Sequence, residues 1–128
     1  MRESLSQLPD GSPRHVIEAF LAMIRPVVEQ SASGSGCAIA AVAMGTGIPD
    51  AGQREIAAGA FNAWRRELAG RLTAAGMAAE QASGLAATLI TLLEGAHVLC
   101  RAAGDLEPFE QAATTIVSLA SLGTPPGR

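Results

Sequence analysis

The stretch ASGLAATLITLLEGAHVLC, residues 82–100, decides the fold. As a helix it runs for about five turns and carries one formal charge, Glu94. Split by helical phase, it is apolar on two faces at once. Leu85, Leu89, Leu92, Ala96 and Leu99 recur at three- and four-residue steps in one stripe. Ala86, Ile90, Leu93, His97 and Cys100 form a second stripe beside it. A helix that packs on one side of a monomer needs only one such stripe. The remaining side, Gly84, Thr88, Thr91, Gly95 and Val98, is mostly small and lets another backbone approach. Three faces that gain little from water, in so short a chain, predict that a second copy covers one of them.

The chain has 128 residues, enough for one domain with a real core. Its apolar content comes from Ala, Leu, Ile and Val. There is no Tyr, and Phe and Trp together number only four. Such a composition predicts helices packed through small residues. Every basic residue is Arg, and the formal charge is −3. That acidic balance argues against a nucleic-acid surface, which needs clustered positive charge. Cys37 and Cys100 lie far apart without CxxC spacing and read as reduced, buried small hydrophobes. No apolar run follows Met1-Arg2-Glu3-Ser4, so no signal peptide is expected and the location reads as cytoplasmic. A membrane span over Ala82–Cys100 is disfavoured by Glu94 and His97 and by its Ala, Gly and Thr content.

Working outward, residues 1–11 are polar and turn-like and are expected to be loosely ordered. Ser12 as N-cap and Pro13 at the first helical position start a helix. Ile17, Phe20, Ile24 and Val27 form its apolar stripe with Met23 beside them, and Pro26 falls inside it. The helix is expected to dissolve at Ser31-Ala32-Ser33-Gly34-Ser35-Gly36. Cys37 to Met44 reads as a short buried helix. Asp50 and Gln53 then form a capping box for a long amphipathic helix. Its inner face holds Ile56, Ala60, Phe61, Trp64, Leu68 and Leu72, and Gly76 ends it. The helix holding residues 82–100 extends from about Ala78 to Ala103 and stops at Gly104. Asp105 or Glu107 caps the last helix, where Phe109, Ala112, Ile116 and Leu119 form one stripe and Ala113, Val117 and Ala120 another. No strand or repeat is signalled. The expected fold is all-α: an antiparallel bundle of about five helices over residues 12–123, with a flexible tail at 124–128.

Three local patterns carry a family resemblance. They are Gly36-Cys37-Ala38-Ile39-Ala40-Ala41-Val42-Ala43, then Phe61-Asn62-Ala63-Trp64-Arg65-Arg66-Glu67-Leu68, then Leu92-Leu93-Glu94-Gly95-Ala96 with Arg101-Ala102-Ala103-Gly104-Asp105 and Pro108. Their order resembles the C-terminal domain of TetR-family transcriptional regulators, in particular the LmrA/YxaF-like branch, over about residues 12–122. The resemblance implies an effector-binding and homodimerisation domain of a repressor, without enzymatic activity or cofactor. Its last two long helices would build a four-helix interface between subunits. Its earlier helices would enclose a small apolar effector, whose entry shifts DNA-binding heads. In the family, about fifty residues of helix-turn-helix precede the first of these helices, where this sequence has Met1–Gly11. The chain as written is therefore expected not to bind operator DNA by itself.

The implied dimer residues are Leu85, Leu89, Leu92, Ala96, Leu99, Phe109, Ala112, Ile116 and Leu119. Phe20, Met23, Phe61, Trp64 and Leu93 either line an effector cavity, which is characteristically concave and apolar, or simply fill the core. Glu94 and His97 are the polar candidates for orienting a ligand, although a histidine on an apolar stripe is commonly a satisfied core residue. Two further readings remain open: a headless partner that heterodimerises with a full-length regulator, and a small helical metalloprotein using Glu94, His97 and Cys100. A di-iron site would require a second Glu/His pair and further inward carboxylates, which the chain lacks. Cys37 and His97 lack an identifiable third orienting group for nucleophilic chemistry. Gly34-Ser35-Gly36 follows no strand and has Ile39 where a dinucleotide loop places its third glycine.

Overall fold

A computed structural model describes residues 1–8, 10–34 and 50–122. The sequence expectations for the segment from Cys37 to Met44 and for the tail at 124–128 lie outside the described residues. Five helices are described: α1 (Arg2–Ser6), α2 (Pro13–Ala32), α3 (Ala51–Ala74), α4 (Ala79–Ala103) and α5 (Glu107–Leu122). There is no strand among the described residues. The fold is all-α, with α4 at its centre against α2, α3 and α5.

Local chemistry sets the helix ends. The Ser12 hydroxyl accepts from the His15 amide at 3.1 Å, and Pro13 occupies the first position of α2, where its missing N–H has no intrahelical partner to lose. Asp50 accepts from the Gln53 amide at 2.8 Å, and the Gln53 side chain accepts from the Asp50 amide at 3.2 Å, completing the capping box of α3. Gly76, at φ +106°, and Gly104, at φ +73°, reverse the chain after α3 and α4 in the left-handed region that glycine enters without steric cost. These short turns bring consecutive helices back alongside one another. The Asp105 carboxylate accepts from the Glu107 amide at 3.0 Å and starts α5.

The core runs along one side of each long helix. From α2 it takes Ile17, Phe20, Leu21, Ile24 and Val28, from α3 Leu68 and Leu72, and from α5 Phe109 and Ile116. From α4 it takes Ala86, Leu89, Ile90, Leu93, Ala96 and Cys100. α4 is the one described helix long and apolar enough, by length and composition alone, to cross a membrane. Here its buried stripe meets three other helices, so its apolarity serves a protein core. Between α2 and α5, Arg25 forms an ion pair with Glu110, and it also lies 3.6 Å from Glu29 within α2.

Several expectations are corrected. Within the N-terminal segment, α1 is a helical turn whose Leu5, with Leu8 just beyond it, is buried against the bundle. Leu5 and Leu8 stand three residues apart, so one face of the turn is apolar despite its polar neighbours. Arg71 of α3 donates to the Ser6 carbonyl and holds this segment in place. In α2 the inner face continues through Val28 rather than Val27, which is 37% exposed; four residues on from Ile24 keeps phase with the core. Ser31 and Ala32 remain helical. In α3 the inner face closes late: Ile56 is 66% exposed, whereas Leu68 and Leu72 are fully buried.

Candidate functional site

The last turn of α2 delivers Ser31 into the core, opposite α4. Ser31 Oγ hydrogen-bonds the Nδ1 of His97 across 66 positions of sequence, and both residues are buried. Burial lowers the His97 pKa below its ordinary value of 6.5 by penalising the charged ring. The imidazole is therefore held neutral at physiological pH, tied to one hydroxyl. One turn earlier on the same face, both Glu94 carboxylate oxygens are shielded from solvent. One turn later sits Cys100, buried with a free thiol. This row is the polar seam of an otherwise apolar core. No group of three His, Cys, Asp or Glu that could hold a metal ion occurs among the described residues.

The aromatic candidates divide. Phe20 and Leu93 are closed inside the core, at 0% and 1% exposure, and act as packing. Met23, Phe61 and Trp64 are half-buried against that core. Phe61 and Trp64 meet edge to face, with centroids 5.3 Å apart at 84°. Beside them, Arg65 donates to the Ser83 hydroxyl at 3.3 Å and ties α3 to α4. Of the residues proposed from sequence, Met23, Phe61 and Trp64 stay partly open to solvent, while Glu94 and His97 are the polar ones. Ser31 was not singled out by the sequence, because nothing local marks a serine in a glycine-rich segment as the partner of a distant histidine.

A second feature is the face shared by α4 and α5. Leu99 and Leu119 are 57% and 61% exposed. Leu85, Leu92 and Ala112 are half-buried. A shallow apolar depression runs between them, lined by Thr88, Leu92, Leu99, Pro108, Ala112 and Leu119. The other four residues assigned to a dimer interface, Leu89, Ala96, Phe109 and Ile116, are buried within the chain and fill its own core.

This arrangement of helices coincides with a known family. Residues 13–115 match the family of LmrA/YxaF-like transcriptional regulators, C-terminal domain. The chain belongs to that family. No characterised protein and no solved structure matches it in addition. The match begins at the first residue of α2 and ends within α5, so the LmrA/YxaF-like domain contains both the Ser31–His97 seam and most of the open α4/α5 face. Domains of this TetR-like type dimerise and bind small-molecule effectors, and the family is one of transcription regulators rather than enzymes.

Proposed function

We propose that this chain is the effector-binding and homodimerisation domain of a TetR-like cytoplasmic repressor. The observation that carries the reading is the apolar strip through Leu92, Leu99 and Leu119, left at the surface of a domain whose family dimerises. An apolar strip shared by two long helices is the kind of surface a second copy covers. The effector is a small, mainly apolar molecule that enters beside Met23, Phe61 and Trp64 and meets the polar seam of Glu94 and His97. Its entry shifts α2 against α4 where Ser31 and His97 join them. α2, which carries Pro26 in its interior, passes that shift toward its N-terminal end. Operator DNA is engaged through a helix-turn-helix head, since the domain itself has a net charge of −3.

The mass in solution tests this directly. Light scattering after size exclusion is expected to give twice the chain mass of 13.0 kDa. Leu99→Glu, which places a charge on the exposed strip, is expected to give the single-chain mass with helicity retained. A wild-type monomer would sink the reading. For the effector, emission from Trp64, the one tryptophan, is expected to change saturably with a cognate apolar compound.

A further inference from the structure

The turn between α3 and α4 does not close flush on the bundle. Between it, the first turn of α2 and the last turns of α5 lies a depression of about 570 Å³. Sites for small organic molecules typically measure roughly 300–1,000 Å³. Its walls are largely apolar, built from Ala75, Met77, Leu85, Ile116, Leu119 and Ala120. The polar side chains at its rim are mostly engaged already. Thr88 donates to the Gly84 carbonyl at 2.9 Å, and Arg14 is paired with Glu18 at 2.9 Å. A rim whose one cation is neutralised suits an uncharged ligand, with Gln81 offering an amide at the mouth.

The position of the opening matters most. Leu119, Thr88 and Ile116 line both this depression and the shallow apolar face of α4 and α5. A body docked on that face therefore abuts the depression along these three residues. We propose that the depression is a binding site for a neutral, mainly apolar small molecule, and that a second copy of the chain supplies its missing wall. The proposal rests on the homodimer reading above. The site is separate from the one at Met23, Phe61 and Trp64. Occupancy and dimerisation are then linked, each strengthening the other by the same factor.

The test uses the full chain with Nile red, an uncharged dye that brightens in apolar surroundings, and records mass by light scattering in the same samples. Wild type is expected to bind the dye saturably as a dimer. Ala75→Trp fills the depression from the side away from α5, and Gln81→Trp closes its mouth from an exposed position that disturbs no core. Each is expected to weaken dye binding by roughly tenfold or more at unchanged dimer mass. Leu99→Glu lies outside the depression and is expected to weaken binding as much by removing the partner wall. Unchanged dye affinity in both tryptophan variants overturns the site. A monomeric Leu99→Glu protein that binds like wild type overturns the partner wall. Wild type at single-chain mass instead overturns the dimer reading, and the second-copy wall with it.

Discussion

Along α4, Leu93 is 1% exposed and Cys100 is fully buried, while Leu99, one residue from Cys100, is 57% exposed. Both sides of the helix are comparably apolar in sequence. One side meets α2 and α3 in the same chain; the other meets nothing among the described residues except the flank of α5. Hydrophobic periodicity reports that a face avoids water, not which surface covers it. The contrast between these stripes separates what the chain needs to fold from what it offers to a partner.

The largest expected effect comes from comparing a buried and an exposed leucine of α4. Leu89→Ala empties a fully buried position and is expected to cost about 2–5 kcal/mol in chemical denaturation. Leu99→Ala trims an exposed position and is expected to change a monomer by about 0.5 kcal/mol or less. In a dimer the Leu99→Ala loss instead grows as protein concentration rises, because association contributes to stability by mass action. Equal, concentration-independent losses for the two variants would break the comparison.

A smaller effect belongs to the polar seam. Ser31→Ala leaves the buried His97 Nδ1 without its hydroxyl partner and is expected to cost about 1–3 kcal/mol. The His97 pKa is depressed on folding, so below its ordinary value of 6.5 the unfolded chain binds a proton that the folded chain resists. Stability is therefore expected to hold above that pH and to fall as the solution is acidified through it. His97→Leu is expected to flatten this part of the pH–stability curve, measured by urea unfolding. A slope unchanged by His97→Leu would show that other groups produce it.

Much of the fold was legible because it is written locally. Ser12, Asp50 with Gln53, Gly76 and Gly104 announce helix ends within a few residues, and the structure uses each as expected. The inner stripe Ala86, Ile90, Leu93, His97 and Cys100 was legible as a face, and all five are buried. What escaped depends on long-range geometry. Leu89 and Leu99 share one stripe in sequence, yet the bundle surface falls between them. Phe109 and Leu119 divide in the same way on α5. α1 escaped because Leu5 and Leu8 give only one turn of signal among polar neighbours. The Ser31–His97 bond escaped because it joins helices whose packing angle no periodicity encodes.

The smallest expected effect compares two helix starts. α3 begins with the reciprocal Asp50–Gln53 box, whereas α4 begins at Ala78 with no side-chain cap. Yet α4 is the buried, central helix, and α3 is exposed through most of its first two turns. Packing reaches α4 within its first two turns, where Ala82 and Ala86 are fully buried, so a cap there matters less; α3 buries only Ala57 over the same span and relies on its box. Asp50→Ala is accordingly expected to cost about 1 kcal/mol and to fray the first turn of α3 in hydrogen exchange. Gln81 stands three residues after Ala78, the same spacing as Gln53 after Asp50. Ala78→Ser therefore completes the pattern of a capping box and is expected to stabilise the chain by about 0.5 kcal/mol. If Ala78→Ser stabilised more than Asp50→Ala destabilised, the start of α4 would be the weaker point and packing would not be what holds it.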